Sequence, residues 1–142
     1  MSAVSAKGLI FQVFSLGLFL LFSFASIDRS AAEISFKKTT VTYREIDGHK
    51  ILADVYRPQD AKIRPVIVWI HGGALIMGNR DLEESDFLLA FAKSKGYALV
   101  SIDYRLAPET KLPEIVSDIK EAFRWPAGDG ARQFHLDPGA LW

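Results

Sequence analysis

The chain has 142 residues, 49% of them hydrophobic and 24% charged, with 17 basic side chains balanced by 17 acidic ones. This is the size and make-up of roughly one globular domain. Zero net charge leaves no electrostatic footprint for nucleic acid or an anionic membrane, and without cysteine there is no disulfide framework, thiol nucleophile or cysteine metal site.

The chain opens with Lys7 and then a nearly unbroken apolar run from Leu9 to Phe24, followed by small residues at Ser30-Ala31-Ala32. A positive start, an apolar centre and a small-residue end make a signal peptide over residues 1–32. The run is slightly short for a comfortable membrane span, and an uncleaved N-terminal anchor is the alternative. Both place residues 33–142 outside the cytoplasm, secreted or in a periplasm, with the membrane touched only through an uncleaved N-terminal segment.

A hairpin comes next. Thr40 to Ile46 is rich in β-formers, Asp47-Gly48 is a two-residue turn signal, and Ile51, Ala53 and Val55 alternate on the return strand. After Arg57-Pro58 and a polar loop, Val66 to Ile70 is five apolar residues without a polar break. That is a strand buried on both faces, as in a parallel sheet. His71-Gly72-Gly73-Ala74 leaves its end as a tight turn poor in side chains, where backbone N–H groups can approach a ligand. The carboxyl edge of a parallel sheet is also where such folds bind ligands.

Glu83 to Lys95 reads as a helix with Phe87, Leu88 and Phe91 on one face, an acidic start suited to the helix dipole, and Gly96 as its stop. Tyr97 to Ile102 is a second apolar strand. The β-loop-α-β unit so formed implies a parallel pair with a right-handed crossover, and hence an α/β fold: a mostly parallel sheet with an antiparallel N-terminal hairpin and flanking helices. Past Asp103 to Glu109, Pro113 opens a helix whose apolar face is Ile115, Val116, Ile119, Ala122 and Phe123, with Trp125-Pro126 ending it. Ala127 to Arg132 is then a loop, and Asp137-Pro138 is a turn leading into another strand.

His71-Gly72-Gly73-Ala74 after one strand and Asp103-Tyr104-Arg105-Leu106-Ala107-Pro108-Glu109 after the next together resemble the α/β-hydrolase superfamily. The resemblance is to its esterase/lipase branch related to hormone-sensitive lipase, and it covers Val41 to Pro138. It implies that the amides of Gly73 and Ala74 are oxyanion-hole donors and that His71 and Gly72 shape their loop. Asp103 and Arg105 would brace that loop through hydrogen bonds and an ion pair. It also implies a small-molecule ester as substrate and no cofactor. Acyl transfer builds negative charge on a carbonyl oxygen, and one preorganised donor there is worth about 3–4 kcal/mol. Alanine at 74 keeps the N–H but adds a methyl, which disfavours positive φ and narrows the approach for branched esters.

The family nucleophile is a serine in Gly-x-Ser-x-Gly on a strand-to-helix turn, with the acid and the histidine following it. No such pentapeptide occurs in the 142 residues. The expectation is a partial α/β-hydrolase fold with about four strands of eight, truncated before the nucleophile elbow and inactive alone. Val66 to Ile70 would lack a neighbour on one side, and an open apolar edge invites aggregation. No rival catalytic set is legible. His49 and His135 read as surface residues, Ser101 lies within a strand, Ser117 lies off a helix's apolar face, and no histidines stand at metal-ligand spacing. A prolyl-oligopeptidase-type peptidase fragment and a non-catalytic binding remnant are the alternative functions.

Overall fold

A computed structural model describes residues 35–142. The signal-peptide and anchor readings of residues 1–32 fall outside them. Among the described residues no helix is long and apolar enough to cross a membrane. The strands are β1 (Phe36–Ile46), β2 (His49–Pro58), β3 (Arg64–Ile70), β4 (Ala98–Ile102) and β5 (Leu136–Leu141), and the helices are α1 (Phe87–Lys95), α2 (Leu112–Ala127) and α3 (Asp129–Phe134). The five strands form one sheet in the order β1-β2-β4-β3-β5. β1-β2 and β2-β4 are antiparallel pairs, while β4-β3 and β3-β5 are parallel.

The hairpin forms as its turn residues demand. Asp47 and Gly48 both have positive φ, the requirement of a two-residue turn matched to strand twist. The β1–β2 register slips between Thr42 and Arg44, so Tyr43 is the extra residue of a bulge. A bulge re-aims a side chain. Here it turns Tyr43 into the core, where its hydroxyl donates to the Asp103 carbonyl at 2.7 Å.

The central strand β4 is fully buried, and its alternation divides the apolar interior. Ala98, Val100 and Ile102 meet Ile115, Ala122, Trp125 and Phe134 from α2 and α3. Leu99 points to the other face, against Leu89 and Ala92 of α1 and Tyr56 of β2. A sheet covered on both faces explains the unbroken apolar runs in β3 and β4.

Three local expectations are corrected. First, α1 begins at Phe87, not Glu83, and its first turn holds no acidic residue. Its buried residues are Leu89 and Ala92, while Phe87 is 82% exposed. Leu88 alone of the expected face packs inward. Gly96 does stop the helix, at φ 66°. Second, Trp125-Pro126 does not end α2, which runs to Ala127. Third, the expected loop at 127–132 is largely α3, its C-terminus turned by His135 at φ 49°.

The neighbour thought missing from β3 is present. β5 pairs with it, the Trp142 amide donating to the Val66 carbonyl (3.0 Å) and the Val68 amide to the Trp142 carbonyl (2.9 Å). The sheet therefore has five strands rather than about four, and β3 is interior over this stretch. Pro138 and Gly139 lie within β5, where the register with β3 shifts. Among the described residues β5 is the outer strand, where proline is tolerated. Leu99 packs against α1 from the middle of the sheet with no exposed surface. Leu99→Ala is therefore expected to cost about 2–5 kcal/mol, read as a lower urea midpoint. A loss within about 0.5 kcal/mol would contradict this account of the core.

Candidate active site

β3 ends and the chain turns back on itself within a few residues. Gly73 has φ 110°, Ala74 φ 53° and Leu75 φ 65°. The Ile76 and Met77 amides both donate to the Gly73 carbonyl, at 3.0 and 3.1 Å. The turn is so close that a Cβ on Gly73 would sit 2.0 Å from the Met77 carbonyl oxygen, and one on Gly78 2.3 Å from His71 Nδ1. Only glycine fits at either place. Ala74 and Leu75 do carry Cβ atoms in left-handed conformation, at a cost of about 1–2 kcal/mol each. Such strain persists only where the surroundings hold it.

The Gly73 and Ala74 amides lie at the carboxyl ends of the parallel strands. Among the described residues neither donates a hydrogen bond to another protein group. Ala74 is exposed and Gly73 half-buried. Gly72, between His71 and this pair, is exposed, and its carbonyl lies 2.7 Å from His71 Nδ1. A carbonyl can only accept, so Nδ1 is the protonated nitrogen.

The segment after β4 runs along the turn. Tyr104 stacks on the His71 ring, with centroids 4.3 Å apart and planes 11° from parallel, and its hydroxyl donates to the His71 carbonyl at 3.1 Å. The Ala107 amide donates to the Leu75 carbonyl at 2.8 Å. Asp103 and Arg105 do not pair with each other. Asp103 accepts the Arg80 amide (2.9 Å) and its guanidinium (2.5 Å). Arg105 turns to Asp118 of α2, reaching it with Nε (2.8 Å), Nη2 (3.0 Å) and its own amide (3.2 Å).

Three polar residues escaped the sequence reading: Asp54, Arg80 and Asp118. Asp54 and Asp118 have no exposed surface. Asp54 accepts the Thr40 hydroxyl at 2.6 Å and lies 2.9 Å from Lys38 Nζ and 3.2 Å from Arg80 Nε. Arg80 thus ties Asp54 to Asp103 behind the turn, and its carbonyl accepts the Ser101 hydroxyl at 2.7 Å. Asp118 had a legible signal. It stands three residues after Ile115 and four before Ala122, on the buried face of an amphipathic helix, where a carboxylate needs partners.

Two clefts open at opposite ends of the strands. One of about 590 Å³ lies at the carboxyl end and is lined by Leu52, Gly78, Asn79, Tyr104 and Arg105 among others. The other, about 490 Å³, lies at the amino end around Arg57, Asp60 and His135, and neither Gly73 nor Ala74 lines either cleft. No serine is hydrogen-bonded to a histidine among the described residues. Ser101 is committed to Arg80, Ser85 to Glu83 and Ser94 to Phe91. His49 and His135 are exposed. No group of three metal-ligating side chains occurs among the described residues.

The BD-FAE family model matches residues 53–141. The non-reducing polyketide synthase nvfA of Aspergillus novofumigatus is 36% identical over 116 residues, 75% of this chain and 5% of that protein. The probable carboxylesterase M8 of a Phoma species is 32% identical over 98 residues, 64% of this chain and 31% of that protein. Among solved structures, the esterase LipW of Mycobacterium marinum is similar with a TM-score of 0.64 and 29% identity over 78% of this chain and 34% of that one. The chain thus spans about a third of the length of the two esterases.

Burial pushes the Asp54 carboxyl upward, but Thr40, Lys38 and Arg80 outweigh it and hold the pKa below the ordinary value. A depressed folded pKa stabilises above the unfolded value, near 3.9, and that stability is lost as pH falls from there through the folded pKa. Asp54→Asn should flatten this part of the acid-denaturation curve. An unchanged slope between wild type and variant would count against the pairing.

Proposed function

The chain belongs to the BD-FAE family and has the fold of the N-terminal part of an α/β-hydrolase, and from that premise we propose that it is the oxyanion-binding portion of a serine hydrolase acting on small carboxylic esters. The observation that carries the reading is the pair of unpartnered amides, Gly73 and Ala74, at the carboxyl edge of the parallel strands. Donors fixed before the reaction stabilise the oxyanion without reorganising as charge develops. The glycine-only contacts at Gly73 and Gly78 fix them here.

In this reading a serine on a strand-to-helix turn attacks the ester carbonyl, and a histidine takes the hydroxyl proton and returns it to the leaving alcohol. The carbonyl oxygen becomes anionic in front of Gly73 and Ala74. None of the 142 residues stands in a Gly-x-Ser-x-Gly elbow, so the reading assigns that serine and its partners to polypeptide other than residues 1–142. His71 acts on loop shape and not as a base: its Nδ1 proton is directed to Gly72 and its ring is covered by Tyr104.

Joining the chain to the downstream part of LipW tests this. The chimera is expected to hydrolyse p-nitrophenyl acetate and to take up a fluorophosphonate probe, while the chain alone does neither. Within the chimera, Ala74→Gly should raise turnover of branched-acyl and tertiary-alcohol esters several-fold over acetate esters. A folded but inert chimera, or fluorophosphonate labelling of a serine of the chain alone, would overturn the proposal.

Export from the cytoplasm is part of the same proposal and rests on the apolar run from Leu9 to Phe24 and the small residues before Glu33. Expression with a secretion-competent host should yield an exported chain beginning at Glu33 on N-terminal sequencing. Intact chain in the membrane fraction would instead identify an anchor, and intact chain in the cytosol would refute export.

A further inference from the structure

We infer that Asp118, on α2 and remote in sequence from the glycine turn, is the positioning residue that holds the Gly73 and Ala74 amides in place through Arg105 and Ala107. The inference rests on the ester-hydrolase reading for its meaning, but its geometry stands independently. Asp118 is fully buried and accepts four hydrogen bonds. Oδ1 takes Arg44 Nη1 at 2.7 Å and Arg105 Nη2 at 3.0 Å, while Oδ2 takes Arg105 Nε at 2.8 Å and the Arg105 amide at 3.2 Å. Four donors fill the acceptor sites of one carboxylate.

The Arg105 contacts have an unusual consequence. A guanidinium fork and the main-chain N–H of the same residue meet one carboxylate, so both the side-chain rotamer and the backbone of Arg105 are held. Two residues on, the Ala107 amide donates to the Leu75 carbonyl. Leu75 and Ala74 are the two non-glycine residues with positive φ in the turn. Left-handed residues with a Cβ revert to a relaxed conformation unless something over-determines them, and the Ala107 bond acts directly on the second of them. The path is therefore Asp118 to Arg105, Ala107, Leu75 and the free amides, with no solvent-exposed link at its buried end. Arg44 brings β1 to the same carboxylate, so the hairpin, α2 and the post-β4 segment share one anchor.

A merely structural Asp118 would lower stability without moving the turn. The readout is therefore local. In ¹⁵N–¹H spectra of the chain, Asp118→Asn and Arg105→Lys should each shift the Gly73, Ala74 and Leu75 amides and speed exchange of the Ala107 amide at least about tenfold. Leu99 and Val100 should keep their shifts. In wild type the Ala107 amide should be protected like those core amides, a measurement that stands even if neither variant folds. In the LipW chimera, Asp118→Asn should reduce kcat for p-nitrophenyl acetate about tenfold with little change in KM. Rapid Ala107 exchange in wild type overturns the inference, as do variants that lose stability while the turn amides and kcat stay unchanged. An inert chimera whose wild-type and variant spectra behave as described would instead refute the ester-hydrolase reading and leave the relay intact.

Discussion

Everything at the candidate site follows from one steric fact: there is no room for a side chain where β3 turns back. A Cβ at Gly73 would collide with the Met77 carbonyl, and one at Gly78 with the His71 ring. The turn can close only with glycine at both places, and among the described residues its 73–74 amides donate to no helix or strand. A free backbone N–H in an accessible turn is ordinarily satisfied by water. The difference here is that two of them are held at fixed angles by a backbone that has little freedom to relax. Preorganisation of this kind is what the proposed oxyanion role requires of the turn.

Two buried carboxylates tie the segments around the turn to the sheet and to α2. Taking a carboxylate out of water costs several kcal/mol, so Asp54 and Asp118 each depend on their partners. Asp118 accepts four hydrogen bonds, whereas Asp54 accepts one from Thr40 and faces the Lys38 and Arg80 cations; each partner set links elements distant in sequence. Asp54 joins β1 and β2 to Arg80 and, through it, to Asp103. Asp118 joins β1 and α2 to Arg105. Removing one partner from such a set is costly, because the charge left behind stays buried.

Much of this was legible from residue order. The strands β3 and β4, the Asp47-Gly48 turn, the Gly96 stop and the glycine turn after β3 all follow local rules that tertiary packing did not override. The failures have particular causes. Phe87 and Phe91 outweigh Leu89 and Ala92 in any hydrophobicity count, yet the smaller pair packs on β4 while Phe87 stays out. Gly130 would break a helix by propensity, but its missing side chain lets Trp125 lie within 2.9 Å of where a Cβ would be, and α3 forms around that contact. Pro138 and Gly139 look like a turn, and an outer strand with a shifted register against β3 admits them. Asp54, Arg80 and Asp118 were missed because a charged residue amid apolar ones reads as solvated until its partners, all distant in sequence, are known. Asp103 and Arg105 are hydrogen-bonded not to each other but to Arg80 and Asp118, both distant in sequence.

The restraints on the turn are all internal to residues 35–142, and this bears on how the site would be completed. β5 lies beside β3 and runs parallel to it, so the carboxyl ends of both strands reach the same edge of the sheet. In α/β-hydrolases the nucleophile sits on a sharp strand-to-helix turn at that edge. A hydroxyl delivered there from the strand next to β3 would meet the two amides with no rearrangement of the scaffold that holds them. The same segment matches a polyketide synthase of which it covers 5% and an esterase of which it covers 34%. On the proposed reading, the residues that shape this turn, its own glycines, Arg80 and the Asp118 anchor, all lie within the segment that the family model matches.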